Sequence, residues 1–310
     1  MSLVFMGTPD LAVVILKALV DGGYPVCAVV CQPDKPRGRE CRPLPPAVKE
    51  FASGEGLSIC QPKRLRGAFA EQLSALQPEL CVVAAYGRLL PPELLALPRR
   101  GCINVHASLL PAYRGAAPIQ WAIANGERET GVSLMQMDAG LDTGPVLART
   151  VVPIGPEETA DILHDRLARA GADLLMRHLP DLLAGRLDAV AQDHERATLA
   201  PILRKEDALV DWALPAAVLS NRARGFHPWP GTETKLLGRR LKLFPPLAVV
   251  PHEGAEVPGT VLAASPSEGL LVRCGEGAVA IGSLQLEGRK RLPTAQFLQG
   301  ARLGVGQKLG

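Results

Sequence analysis

Two polar side chains, Asn104 and His106, alternate with Ile103 and Val105 in a segment predicted to be a β-strand. Because successive side chains of a strand point to opposite faces, the amide and the imidazole share one face. At the carboxyl end of a parallel strand, such a pair can bind and polarise a carbonyl oxygen. A lone histidine is more often a satisfied core residue, but the neighbouring asparagine and the turn at 108–111 favour a site.

A carboxylate that would complete this set is Asp142, which stands between Gly140 and Gly144 just after the strand predicted over 132–137. Glycines free the backbone, so the acid can reach the end of a neighbouring strand. An aspartate in an Asx turn is the competing explanation. If the three side chains meet, they surround a single carbonyl group.

The elements that must position these residues form an α/β pattern in the first half of the chain. Short apolar runs between helical stretches are typical of a doubly wound domain with a mostly parallel sheet. The predicted strands are 3–5, 26–31, 80–84, 103–105, 132–137 and 146–152. Helices are predicted over 10–19, with Asp10 as the N-cap, and over 157–183, with Gly185 at the end.

The second half of the chain has a different pattern. Short strand candidates at 241–244, 259–262, 270–274 and 278–281 are separated by Pro, Gly and Ser clusters, which favours a small β-barrel of the OB-like type. We therefore expect a catalytic domain over 1–188, a linker over 189–205 and a β-barrel domain over 206–310. Trp229, between two prolines, is expected to anchor packing.

Composition excludes several classes of protein. With 310 residues, 47% of them hydrophobic and 21% charged, the chain can build a core and is not disordered. Its net charge of +3 does not by itself demand a nucleic acid or a membrane. The part of the chain after Leu203, however, has 14 basic and 9 acidic residues. This excess of positive charge is typical of a surface that contacts phosphates or of an ordinary solvated surface.

Other patterns argue against cofactors and membranes. The seven cysteines form no C-x-x-C pair, so we expect reduced thiols, no metal and a cytoplasmic location. Residues 7–10 (GTPD) lack the glycines of a dinucleotide fingerprint. No apolar run approaches the ~18 residues of a membrane span, and no export leader precedes the first predicted strand.

A basic segment over 34–46 follows the second predicted strand. Its charge keeps it out of the core, so it lies on the surface near the edge where the site opens. It is either a solvated excursion or a contact for nucleic-acid phosphates. Its cationic residues are Lys35, Arg37, Arg39 and Arg42.

Several of these motifs resemble a known family. They are MGTPD at 6–10, QPDKPRGR at 32–39, NVHASLLP at 104–111, YRGAAPIQW at 113–121, ETGVSLMQMDAGLDTG at 129–144 and HPWPG at 227–231. Together they resemble the bacterial methionyl-tRNA formyltransferases, within the formyltransferases that depend on 10-formyltetrahydrofolate. The resemblance runs through both halves of the chain.

This resemblance implies transfer of the formyl group of 10-formyltetrahydrofolate to the α-amino group of methionyl-initiator tRNA, through a tetrahedral oxyanion, in translation initiation. It implies catalytic roles for Asn104, His106 and Asp142. The folate pocket would include Ser108, Leu109, Leu110 and Pro111, and the tRNA would contact Lys35, Arg37, Arg39 and Arg42. The basic second domain would also contact tRNA, and the enzyme would be a monomer without metal or dinucleotide.

Two other functions stay open at this point. Relatives with the same three polar residues formylate other amines, so a small nucleotide or an amino sugar is an alternative acceptor. A nucleic-acid-binding protein with a degenerate α/β scaffold is a third possibility. Folate binding would separate the enzymes from the pure binder.

Overall fold

The computed structural model describes residues 2–37 and 42–310. The chain forms two compact units. Unit 1 comprises Met1–Pro118, Thr130–Pro153 and His164–Pro201. Unit 2 comprises Ile119–Glu129, Ile154–Leu163 and Ile202–Gly310.

The strands are numbered along the chain. They are β1 Leu3–Gly7, β2 Val26–Val30, β3 Lys35–Arg37, β4 Arg42–Leu44, β5 Ile59–Cys60, β6 Leu80–Ala84, β7 Cys102–His106, β8 Arg114–Gly115, β9 Glu129–Gln136, β10 Val146–Pro153, β11 Leu199–Ala200, β12 Thr232–Leu236, β13 Arg239–Val250, β14 Val261–Ser265, β15 Gly269–Arg273, β16 Ala278–Leu286 and β17 Leu292–Pro293. The helices are α1 Asp10–Asp21, α2 Ala47–Gly54, α3 Ala68–Ala75, α4 Pro92–Leu95, α5 Pro118–Ala124, α6 Ala160–Ala184, α7 Ala216–Gly225 and α8 Thr294–Gly300.

The main sheet of unit 1 has the order β10-β9-β7-β6-β1-β2-β5. Its pairs from β7 through β6, β1 and β2 to β5 are parallel, whereas β9 runs antiparallel to β7. Every residue of β1 and β6 is buried, as expected of apolar central strands covered on both faces. The predicted doubly wound, mostly parallel sheet is confirmed.

This sheet positions the candidate site through β7 and its neighbours. The register pairs Asn104 with Met135 and His106 with Ser133, so both polar residues lie near the carboxyl end of β7. The strand ends there in the turn that carries the predicted folate-binding residues. The sheet therefore delivers an amide and an imidazole to one edge, on rigid backbone.

Two helix termini test the predicted capping. The N-cap of α1 is Pro9, with extended dihedral angles, so the prediction of Asp10 at that position is wrong by one residue. Asp10 instead begins the helix, where its charge faces the first-turn amides. Helix α6 begins later than predicted, at Ala160, and Gly185 follows its end with a φ of +67°, as expected.

Unit 2 is built on an antiparallel sheet of order β12-β13-β16-β15-β14, with β17 paired to β16. Its core includes Trp212, which is 6% exposed and donates its indole N–H to the Thr234 hydroxyl at 3.1 Å. Trp229 is 52% exposed, so the expectation that it anchors packing is wrong. The flanking prolines indicate a turn but carry no information on burial.

Two segments that precede residue 164 belong to unit 2, Ile119–Glu129 and Ile154–Leu163. The Trp121 ring meets Phe226 edge-on, with ring centroids 5.4 Å apart. Arg224 donates to the carbonyl oxygens of Gly155 at 3.2 Å and Glu158 at 3.0 Å. Because unit 2 comprises three separate stretches of the chain, one boundary in the sequence cannot divide the two units. The predicted domain limits at residues 188 and 206 remain a prediction.

Within residues 2–37 and 42–310, no helix has the length and apolar composition needed to cross a bilayer.

Candidate active site

The structure brings Asn104, His106 and Asp142 together. The Asn104 Nδ2 atom lies 3.4 Å from Asp142 Oδ1, and the His106 Nδ1 atom lies 3.7 Å from Asp142 Oδ2. The side chains of His106 and Asp142 are 7% and 14% exposed. An imidazole, an amide and a carboxylate thus share a sheltered position at the end of β7.

The other nitrogen of His106 fixes the orientation of the ring. His106 Nε2 lies 3.1 Å from the carbonyl oxygen of Tyr113, which can only accept a hydrogen bond, so Nε2 carries a proton. Tyr113 has a φ of +60°, and its backbone N–H donates to Thr198 Oγ1 at 2.9 Å. The Nδ1 atom faces Asp142, but the distance of 3.7 Å is longer than a hydrogen bond. Nδ1 can therefore form a hydrogen bond with a substrate atom.

Asp142 is held by backbone as well as by side chains. The Gly115 N–H donates to Asp142 Oδ2 at 2.8 Å, and this contact joins the Asp142 loop to strand β8. Asp142 has a φ of +52°, a left-handed conformation that aspartate tolerates better than most residues. The carboxylate is therefore oriented by its loop and by a peptide donor.

Two residues that the sequence analysis did not select surround this loop. The amide nitrogen of Gln192 donates to the carbonyl oxygens of Asp142 at 2.9 Å and Gly144 at 2.6 Å. Gln192 Oε1 accepts from Arg114 Nε at 3.1 Å and Nη2 at 2.7 Å. Arg114 and Gln192 are each 6% exposed, so both lie inside unit 1.

A glycine beside the acid makes a close approach to β9. A Cβ atom at Gly144 would lie 1.9 Å from the Gln136 carbonyl oxygen. Gly144→Ala is therefore expected to displace the Asp142 loop, lower the melting temperature by about 4–8 °C and reduce turnover. Gly282→Ala, where nothing lies within 4 Å, is the matched control, and thermal melts with rate assays measure both. Unchanged melting and turnover in Gly144→Ala would contradict this prediction.

Two residues of the predicted folate-binding turn, Ser108 and Leu110, are buried in contacts within the protein. Ser108 is fully buried, and its hydroxyl donates to the Ala112 carbonyl oxygen at 2.6 Å. Leu110 is 1% exposed and packs in a small apolar cluster. Leu109 and Pro111 are half-buried. Any side-chain contact of this turn with a ligand therefore falls to Leu109 and Pro111.

Within the described part of the basic segment, β3 and β4 form an antiparallel pair, which we call the hairpin. Strands β3 and β4 pair Lys35 with Leu44 and set Arg37 opposite Arg42. Lys35 is exposed, whereas Arg39 lies outside the described residues. The register therefore gathers two of the predicted tRNA-binding positions side by side.

The base of this hairpin is fastened by Asp34. Its carboxylate accepts from Gln61 Nε2 at 2.7 Å and from Lys49 Nζ at 2.8 Å. These two contacts, with the Gln61 hydrogen bond the stronger influence, lower the pKa of Asp34 below its ordinary value. A lowered pKa means that the pairing stabilises the fold above the unfolded-state pKa and is lost only as the pH falls through the folded-state value. The anchor is intact at neutral pH.

The arrangement is suited to a carbonyl group that becomes an oxyanion. An amide N–H and an imidazole N–H can donate to the oxygen, while a carboxylate compensates positive charge on the ring. Among residues 2–37 and 42–310, no three His, Cys, Asp or Glu side chains cluster as metal ligands.

Sequence comparisons match most of the chain to one family. The family described as "Formyl transferase" matches residues 1–179, and "Formyl transferase, C-terminal domain" matches residues 202–302. A methionyl-tRNA formyltransferase of Geobacter sulfurreducens is 49% identical over 100% of this chain and 97% of its own length. One from Myxococcus xanthus is 50% identical over 99% of this chain and 97% of its own.

Solved structures share the fold at low identity. WlaRD, a sugar 3N-formyl transferase, has a TM-score of 0.65 and 15% identity, covering 94% of this chain and 99% of its own. HypX from Aquifex aeolicus, solved with tetrahydrofolic acid, has a TM-score of 0.62 and 20% identity over 96% of this chain. This chain spans about half of HypX, 46% of its length. With both family regions matched, and relatives near 50% identity over their full length, the chain belongs to the formyl transferase family.

Proposed function

We propose that this protein transfers the formyl group of 10-formyltetrahydrofolate to the α-amino group of methionyl-initiator tRNA in translation initiation. The observation that carries the proposal is the meeting of Asn104, His106 and Asp142 in a chain whose full-length relatives are methionyl-tRNA formyltransferases. The family membership supports the reaction class, and these relatives support the acceptor.

The chemistry begins with attack of the amine on the formyl carbon. The α-amino group of an amino acid has a pKa of about 7.7, and esterification lowers it, so the nucleophile is largely neutral at working pH. Strong base catalysis is not required. The greater need is to stabilise the negative oxygen of the tetrahedral intermediate.

Asn104 and His106 supply that stabilisation. The Asn104 amide N–H donates to the formyl oxygen. Because Nε2–H is directed at the Tyr113 carbonyl oxygen, His106 acts here as the imidazolium, with protons on both ring nitrogens, and donates Nδ1–H to the same oxygen as its charge develops. Asp142 holds the imidazole and compensates its positive charge, while the Tyr113 carbonyl oxygen retains the Nε2 proton. These donors are fixed before the reaction, so little reorganisation is needed.

Collapse of the intermediate requires one proton transfer. The attacking nitrogen loses a proton, and N10 of the folate gains one as the carbon–nitrogen bond breaks. We assign this proton relay to Asp142, acting through a water molecule with His106 as its neighbour. The folate itself would lie against the turn over 108–111, with Leu109 and Pro111 providing apolar contacts.

The acceptor is tested by comparing amines in one assay. With 10-formyltetrahydrofolate as donor, we expect formylation of methionyl-initiator tRNA and no comparable rate on an amino-sugar nucleotide. Faster formylation of the sugar amine would contradict the tRNA acceptor and support an amino-sugar nucleotide as the acceptor. Calorimetry that detects no folate binding would contradict both enzymatic functions.

The hairpin is proposed to contact tRNA phosphates. Lys35→Gln is expected to raise KM for the tRNA about 3-fold or more and to reduce the slope of log(kcat/KM) against log salt by about one. The exposed Lys17 on α1 provides the matched control, Lys17→Gln. Equal salt slopes in the parent and in Lys35→Gln would contradict a phosphate contact at this lysine.

A further inference from the structure

We propose that Gln192 is a positioning residue for formyl transfer: with Arg114, it fixes the loop that presents Asp142 to His106. Gln192 lies in the segment Val190–Ala200, which follows α6 and was predicted to be a linker. We call this segment the brace. The inference rests on the proposed function, because it concerns the alignment of the same catalytic groups.

The brace holds both sides of the candidate site. On one side, Gln192 donates to the carbonyl oxygens of Asp142 and Gly144, the residues on either side of Thr143 in this loop. On the other, Thr198 accepts from the Tyr113 N–H at 2.9 Å, and its carbonyl oxygen accepts from the Arg114 N–H at 2.9 Å. One segment therefore positions the loop of the carboxylate and the carbonyl group that orients His106.

Arg114 fixes the orientation of Gln192. An amide can rotate to exchange its oxygen and nitrogen, but the guanidinium only donates, so it selects the oxygen of Gln192. The nitrogen must then face the two carbonyl oxygens of the Asp142 loop. A third guanidinium contact, from Nη2 to His194 Nδ1 at 3.2 Å, restrains Arg114 itself.

This geometry explains why Gln192 would affect rate more than binding. Its hydrogen bonds join Arg114 to the backbone that carries Asp142, so it acts through the position of that backbone. Misplacement of a catalytic group by about 1 Å can cost about 100-fold in rate. We therefore expect the effect in kcat, with KM for both substrates little changed.

The discriminating variant is Gln192→Glu. A glutamate keeps an acceptor for Arg114, but it loses both N–H donors and sets a carboxylate oxygen against two carbonyl oxygens. We expect kcat for methionyl-tRNA to fall by about 10–100-fold and both KM values to stay within about 3-fold. Glu195→Gln, an exposed position in the brace, is the matched control and should retain parental kcat. Parental kcat in Gln192→Glu would overturn the proposal.

A double-mutant cycle separates positioning from general destabilisation. If Gln192 acts through Asp142, Gln192→Glu added to Asp142→Asn should change the single-turnover rate by less than about 2-fold. The same fold-loss in both backgrounds would overturn the inference. Failure of the parent to formylate methionyl-tRNA would instead contradict the proposed function.

Hydrogen exchange tests the positioning role without an activity assay, so it applies even if the parent does not formylate methionyl-tRNA. The Gly115 amide donates to Asp142 Oδ2, so its hydrogen exchange reports on the position of the carboxylate. We expect faster exchange of this amide in Gln192→Glu than in the parent or Glu195→Gln, while amides of β1 and β6 keep their protection. Unchanged exchange at Gly115 would overturn the positioning role whatever the substrate.

Discussion

Replacing His106 with alanine is expected to lower turnover by about 100-fold or more and to leave folate binding nearly intact. Removal of an oxyanion donor typically raises the barrier by about 2.7–4 kcal/mol, because the charge that develops on oxygen loses a fixed partner. In the proposed mechanism His106, which contacts Tyr113 and faces Asp142, donates to the oxygen whose charge develops in the transition state. Single-turnover formylation and calorimetry with a folate analogue measure the two effects.

A matched control for this variant is His164→Ala. His164 lies on α6, where it is half-buried and contacts its neighbour Asp165. This substitution removes an imidazole without touching the site, so turnover should stay within about 2-fold of the parent. Near-parental turnover in His106→Ala would remove histidine from the mechanism.

Asp142→Asn is expected to have the second large effect, a loss of about 100-fold or more in kcat. The amide is nearly isosteric and can still accept from the Gly115 N–H, so the loop is retained. The negative charge beside His106 Nδ1 is lost, and a positive imidazole is no longer compensated. Where a buried aspartate orients a histidine in hydrolases, the same replacement costs about 10⁴-fold.

The measurements are kcat and both KM values, with Asp165→Asn on α6 as control. Because His106 and Asp142 act as one unit, the double variant should be little slower than the slower single variant. If the fold-loss in kcat of the double variant equalled the product of the two single fold-losses, the two residues would act independently. That result would contradict the assignment of Asp142 as the partner of His106.

The sequence was sufficient to predict the scaffold and the three polar groups. Alternation along β7 predicted that Asn104 and His106 share a face, and the glycines around Asp142 marked a loop able to reach them. These signals are local: each comes from a spacing of two to four residues. The buried apolar strands β1 and β6 were equally clear, because nearly continuous apolar runs are typical of central parallel strands.

The remaining site residues left no local signal. The hydrogen bond between Gln192 and Asp142 joins positions 50 residues apart, and a single glutamine after a helix is indistinguishable from a surface residue. The Gly115 N–H is a backbone donor, and nearly every residue type has one, so the sequence does not indicate which backbone N–H binds Asp142. Strand β12 was missed for a related reason, since its sequence TETKL is mostly polar on the exposed face.

The packing of Trp121 against Phe226 affects how the nascent chain folds. During synthesis, the Trp121 ring leaves the ribosome about 100 residues before its partner. At about 5–20 residues per second, it waits roughly 5–20 s for its edge-on contact with Phe226. The main sheet of unit 1 has all of its strands once Pro153, the end of β10, has emerged, whereas α5 must wait for α7 and Phe226. The contact between α5 and Phe226 therefore forms only after every strand of that sheet has been made.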